Sequence, residues 1–331
     1  MRLIINEYGT TIKRKENRFV VENKETNRKE EFSSDSVNQI VIASGSSISS
    51  GVIKLAMKNN IDIVYVNKFG TPYARIYPCK LGGTTLTRKL QAESYKSEKS
   101  LLLARAFIQG KILNQANLLK SLSKSRHSSE LRETAKEILK FSSQILEVSG
   151  KNIDDIRERL LGIEGISASL YFQALTKILP FKQRDKESND QVNIVLNYGY
   201  GILYSEIEKA CIIAGLDPYL GYYHTDRYGK PSMVLDLIEE FRQPVVDRAV
   251  ITLFVRKLIN EKDFTKNGDS VFLSDIGRQK VIDAVMRRLY TRIKFGKKTM
   301  TLQGIILEQA RNVVRFLMNE IKEYKPFVNR W

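Results

Sequence analysis

The spacing of apolar residues changes once along this chain, and no other feature constrains the fold as much. Up to about residue 78 the pattern is short and alternating: "RLIIN", "TTIKRK", "RFVVEN" and "VNQIVIA" are β-branched runs separated by polar turn residues. "SGVIKLAMKNN" (50–60) has helical spacing instead, with Val52, Leu55, Ala56 and Asn59 on one stripe; "IDIVYVN" and "TPYARIYP" then return to strand. Pro78 and "LGGTTLTRK" (81–89) break the pattern as an interdomain linker does. From Leu90 helical periods dominate, and helices are expected over 90–125, 129–148, 152–178, 189–214, 232–261, 275–295 and 301–324. Gly215 before "LDPYLG" reads as a helix stop, and "DFTKNGDSVFL" (263–273) as a hairpin about Asn267-Gly268. The expected class is α+β: a small, mainly β domain at 1–80, a linker at 81–89, and a nearly all-α domain at 90–331 with an inserted hairpin.

Charge narrows the partner. Lys and Arg number 54 against 37 Asp and Glu, a net +17 over 331 residues. Residues 1–80 hold 13 basic and 8 acidic side chains, or +5, which leaves +12 for the remainder, so the excess is no detachable tail. Such a balance favours a polyanion, nucleic acid before an anionic membrane, because each neutralised phosphate releases counterions. Cys79 and Cys211 are far apart and lack CxxC spacing, which suits a reducing compartment. "MRLIINEYGT" has no signal-peptide apolar region, and "SVNQIVIASGSSISSGVI" (36–53) is too polar to cross a bilayer. A soluble, cytoplasmic protein without a membrane partner is expected.

Against that basic background, "GYYHTDRYGKPSMVLDLIEEF" (221–241) sets His224, one of only two histidines, a short loop ahead of a helix with three carboxylates. On a helix over 232–245, Val234, Ile238, Phe241 and Val245 form one apolar stripe and Asp236, Glu239 and Glu240 lie opposite. The glycines at 221 and 229 leave the loop free to fold His224 back toward that helix. In "LLGIEGISASLYF", Glu164 lies between Gly162 and Gly165 in an apolar stretch, where a carboxylate requires a cation or an arginine nearby. Taken singly, these residues are equally a solvated acidic face, a structural histidine and an Arg-paired glutamate. Together, oxygen ligands with one imidazole suit Mg²⁺ or Mn²⁺.

"GIEG", "NDQVNIVLNYGYGILYSEIEKACIIAGLDPYLGYYH" and "SMVLDLIEEFRQPVVDR", in that order over roughly 160–248, resemble the CRISPR-associated integrase family, the nuclease of spacer acquisition. The resemblance implies a divalent metal, Mg²⁺ or Mn²⁺, held by Glu164, His224 and Glu239, with Asp236 as a neighbouring acidic residue or ligand of a second ion. The third ligand is Glu where some members have Asp. Asn193, Asn197 and Tyr198 would line the site or bond between helices. Arg184, Arg242 and Arg248 would contact phosphate or pair with acidic neighbours, and "TRKL", "RRLYTRIKFGKK" and "YKPFVNRW" would track DNA. The implied activity is that of a metal-dependent DNA endonuclease and integrase. It inserts spacer DNA into a CRISPR array by attack of a DNA 3′-OH on repeat phosphodiesters, acting on double-stranded and branched DNA. A homodimer through the β domains and a small ferredoxin-like partner protein are implied as well. The competing expectation is a non-catalytic, basic architectural DNA-binding protein.

Overall fold

A computed structural model describes residues 2–37, 39–43, 45–59, 61–67, 72–77, 84–224, 229–268 and 270–331. The chain forms two units, Met1–Leu81 and Gly82–Trp331.

In the first unit the short alternating runs become strands. They are β1 (Arg2–Ile5), β2 (Thr10–Lys15), β3 (Arg18–Asn23), β4 (Arg28–Ser33), β5 (Gln39–Ile42) and β6 (Ser47–Ile48), then helix α1 (Ser50–Lys58), β7 (Asp62–Val66) and β8 (Pro72–Ile76). They build two four-stranded sheets, ordered β1-β5-β7-β8 and β4-β3-β2-β6. β5 and β7 are parallel, with Ile40 opposite Ile63, and α1 is the crossover that parallel pairing demands. Val52, Leu55 and Ala56 of α1 join Leu3, Ile5, Ile12, Phe19 and Ile42 in one core. Asn59 does not join that stripe; it closes the helix, its side-chain amide donating to the Leu55 carbonyl at 2.9 Å. The mainly β unit with one helix is as the period predicts.

The second unit contains α2 (Thr84–Ser94), α3 (Glu98–Arg126), α4 (Ser129–Glu147), α5 (Arg157–Thr176), α6 (Gln191–Ala214), α7 (Ser232–Ile238) and α8 (Arg248–Val255). Hairpin β9 (Phe264–Asn267) and β10 (Ser270–Leu273) follows, then α9 (Asp275–Leu289), hairpin β11 (Arg292–Phe295) and β12 (Lys298–Thr301), and α10 (Leu302–Leu317). Residues 84–89 are already helical; the expected linker is therefore corrected there, and its first part, 81–83, lies outside the described residues. Ser97 caps α3 and divides the expected 90–125 helix in two, and Asp190 caps α6 through the Asn193 amide at 2.9 Å. Gly215 ends α6 at φ 88°, where the Leu216 amide donates to the Cys211 carbonyl at 3.0 Å. The hairpin expected about Asn267-Gly268 forms, with Asn267 itself paired to Ser270 across the ladder.

Two expectations fail for local reasons. The 232–261 helix is broken: after α7 comes a π-helical turn, Arg242–Asp247, around Pro244, which has no amide hydrogen to donate to the preceding turn. The expected 275–295 helix stops at Leu289, because "RIKFGKKTMT" alternates and turns at Gly296 (φ 58°), a hairpin in place of the final helical turns. Beyond α10, residues 318–331 carry no regular element, yet Tyr324, Phe327 and Asn329 are buried. Cys211 is free and buried, and Cys79 lies outside the described residues. Among the described residues, no helix is long and apolar enough to cross a membrane.

Candidate active site

The loop before α7 is fixed from three sides. The fully buried Asp236 carboxylate accepts the backbone amides of Tyr222 (2.6 Å), Tyr223 (3.0 Å) and His224 (2.9 Å). The Arg157 guanidinium, at the start of α5, donates to the Tyr222 and Tyr223 carbonyls at 3.0 and 3.1 Å. Gln91 of α2 binds the Asp217 and Leu220 carbonyls, and Ser94 meets the Tyr222 hydroxyl at 2.8 Å. Gly221 is required by contact rather than flexibility, since a Cβ there would stand 2.5 Å from the Ser232 backbone. The expected freedom of this loop at Gly221 is thereby corrected.

This loop aims the histidine. His224 Nδ1 lies 2.8 Å from Asp236 Oδ1, which fixes the ring with Nε2 turned toward Glu239. Nε2 stands 4.0 Å from Glu239 Oε1. Glu239 Oε2 is buried, accepts no aligned hydrogen bond and faces the Lys111 ammonium of α3 at 2.6 Å. The same ammonium pairs with Glu164 Oε1 of α5. Arg242 Nε donates to Glu239 Oε1 at 2.9 Å. Burial alone would push the Glu239 carboxyl up, but Arg242 and Lys111, with His224 behind them, bring it down to about 2. Burial likewise opposes the charge on Lys111, and Glu239 and Glu164 more than offset it, holding the ammonium above its ordinary value. Burial first, then the charge of these two carboxylates, raises the Tyr223 phenol.

Three sequence expectations change here. The acidic face of 232–240 is not solvated: Asp236, Glu239 and Glu240 are all buried, as is the apolar stripe opposite, so the segment is enclosed all round. Glu240 leaves the group, accepting from the Tyr324 hydroxyl (2.5 Å), the Phe327 amide (2.7 Å) and Gln309 (2.9 Å), in a pocket of its own. Glu164 is not sunk among apolar neighbours: Leu161 and Ile166 are 44% and 54% exposed, and a Cβ at Gly162 or Gly165 would meet nothing within 4 Å. The glycines mark an open surface beside the carboxylate.

Asn193 and Asn197 hold Arg184, accepting from its guanidinium at 2.8 and 2.6 Å, while their amides donate to the Gln183 and Lys186 carbonyls. They therefore build the 183–186 loop rather than bond between helices. Arg184 and Arg242 both lie over the Tyr200 ring, 5.7 and 4.7 Å from its centroid, and Tyr200 and Tyr171 donate to the buried Asp247. Tyr198 is half-buried against the core. Arg248 is not with this group; it and Arg288 each lie 5.2 Å from the Trp331 ring centroid. Sequence reasoning missed Lys111, Arg157 and Gln91. The one signal for Lys111 was a lone charge in the apolar run "AFIQGKILNQANLL".

The donor types suit a divalent cation: carboxylates from α5 and from the turn after α7 share one ammonium, and the His224 edge stands 4.0 Å from the second of them. As arranged here, with Lys111 between the carboxylates, no three His, Cys, Asp or Glu side chains among the described residues close on an ion-sized point.

Carboxylates beside an imidazole, set in a basic unit, are side chains of the kind that metal-dependent phosphodiester chemistry uses. The family model for CRISPR associated protein Cas1 matches residues 3–287, and the chain belongs to that family. A CRISPR-associated endonuclease Cas1 of Archaeoglobus fulgidus is 34% identical over 349 residues, covering all of both chains. In fold, the chain is similar to a casposase bound to its integration product (TM-score 0.84, 24% identity, 98% of this chain and 92% of that one). It is also similar to part of a Cas6-RT-Cas1–Cas2 complex (TM-score 0.77, 19% identity, 99% of this chain and 36% of that one).

Proposed function

We propose that this chain is the endonuclease and integrase of CRISPR spacer acquisition, working through Glu164, Glu239 and His224 with Mg²⁺ or Mn²⁺. The observation that carries the reading is that Glu164 of α5 and Glu239, just past α7, share the Lys111 ammonium, while His224 Nε2 stands 4.0 Å from the other oxygen of Glu239. Glu164, Glu239 and His224 would hold the ion, which would supply Lewis acidity to a DNA phosphodiester and offset charge on the phosphate and the departing 3′ oxygen. The attacking group is the 3′-OH of incoming DNA, or water in hydrolysis. Asp236 orients the imidazole and the loop and touches no substrate. Arg242 holds Glu239 in place and supplies positive charge beside the phosphate. A homodimer through the β unit and a Cas2-type partner complete the assembly; support comes from family membership and from the named complex that shares the fold.

The burial of Asp236 and Glu239 speaks against a merely architectural role, for which a solvated acidic face would suffice. The test is to incubate the protein with a 3′-OH oligonucleotide, repeat-bearing DNA and Mn²⁺ and look for joined strands. Binding without any covalent change would leave the architectural reading standing.

Two lesser effects are expected. Asp236→Asn should slow joining by about 10–100-fold, as is usual when a ligand's orienting partner is lost, and added Mn²⁺ should recover part of it. Complete loss at saturating Mn²⁺ would make Asp236 a ligand. DNA affinity should fall with salt by a log–log slope of about −0.9 per phosphate contact, alike for unrelated duplexes. A flat response would mean base readout instead.

A further inference from the structure

We infer that Lys111 holds the place of the divalent cation, keeping Glu164 and Glu239 together in the metal-free chain and giving way when the ion enters. This rests on the reading that Glu164, Glu239 and His224 hold the ion. The ammonium bridges one oxygen of each carboxylate, with Glu239 Oε2 at 2.6 Å, and its side chain is only 12% exposed. A divalent ion bridging those two oxygens would lie about 2.0–2.6 Å from each, a place it could not share with the ammonium.

Charge leads to the same conclusion. Glu164 and Glu239 are balanced by Lys111 and Arg242, a neutral group largely shut off from water. Adding a divalent ion without removing anything leaves two uncompensated charges in a low-dielectric site, which is costly. With the ammonium withdrawn, one remains, which a DNA phosphate neutralises. Lysine suits the part, being a point charge on a flexible stem, whereas Arg242 is also fixed over the Tyr200 ring. The α5 surface at Gly162 and Gly165, on either side of Glu164 in sequence, is open as well. The freed ammonium then meets the phosphate of bound DNA, so DNA and metal must each strengthen the other's binding.

The test is Mn²⁺ binding to the full chain, read from the resonance of the free ion, with and without a DNA duplex. The parent should bind Mn²⁺ weakly alone and more tightly with DNA. Lys111→Met should bind it about 10-fold tighter or more without DNA, and gain little from DNA. Its melting temperature in EDTA should lie below the parent's and rise on adding Mn²⁺. Lys111→Arg should remain a weak binder. Should Lys111→Met not fold, Lys111→Gln carries the same expectation. An uncharged variant that binds Mn²⁺ no better than the parent overturns the inference. Glu239→Gln separates the two levels: if it binds Mn²⁺ like the parent, the metal reading itself fails. If it loses Mn²⁺ while the Lys111 variants gain nothing, only the role of Lys111 fails.

Discussion

Glu239→Gln is expected to lower DNA joining by about 1000-fold or more, and Glu164→Gln and His224→Ala to follow it, with DNA affinity within about threefold of the parent. Affinity comes from basic residues spread along the chain, whereas the chemistry needs three ligands at one point. Glu239 is the most exposed to loss because it serves three neighbours: Lys111 on one oxygen, and Arg242 and the His224 edge on the other. A neutral amide keeps one acceptor oxygen but supplies negative charge to none of the three. Side-by-side strand-joining and DNA-binding assays at saturating Mn²⁺ check this, and near-parent turnover in any variant removes that residue from the ligand set.

The neighbouring carboxylate should matter in another way. Glu240→Ala leaves the Tyr324 hydroxyl, the Phe327 amide and Gln309 facing a void, and should cost about 3 kcal/mol of stability in urea unfolding, roughly 1 kcal/mol per lost bond. A change under about 0.5 kcal/mol would mean that these groups find other partners. Burial raises the Glu240 carboxyl from 4.5 to about 7 against the pull of its three donors. The folded chain thus holds a proton that the unfolded chain has released. The stabilisation linked to Glu240 is complete below about pH 4.5 and lost as pH climbs to about 7. Glu239 runs the opposite way: its carboxyl lies at about 2, so its contribution is present above pH 4.5 and lost as pH falls toward 2. Glu240→Gln should therefore flatten the stability profile between pH 4.5 and 7 and leave the acid limb unchanged.

The change of period made the two units readable, and the resemblance of "GIEG" through "LDLIEEF" brought Glu164, Glu239 and His224 forward, because each lies inside a continuous motif. Lys111 belongs to no motif and meets Glu164 across 53 residues of sequence, and Gln91 reaches Asp217 across 126, contacts that only packing reveals. Helical period failed at Glu240 for a physical reason. It sorts residues into an inner and an outer face, and the segment bearing Asp236, Glu239 and Glu240 has no outer face. The hairpin at 292–301 was missed because it turns on Gly296-Lys297 rather than Asn-Gly, and the break at 242–247 because Pro244 is absorbed by a wider helical turn.

The turn that carries Glu239 is shared with Glu240, and Glu240 is satisfied by residues 324 and 327, while Asn114, three residues past Lys111, is bonded to Phe327 and Asn329. On the ribosome these partners emerge some 85 residues after the carboxylates they serve, with α8, α9 and α10 already made. Until then two adjacent glutamates and an asparagine amide compete for water and for whatever cations are near. A chain that has not yet reached residues 324–327 thus carries Glu239 and Glu240 without the partners that seat the second of them.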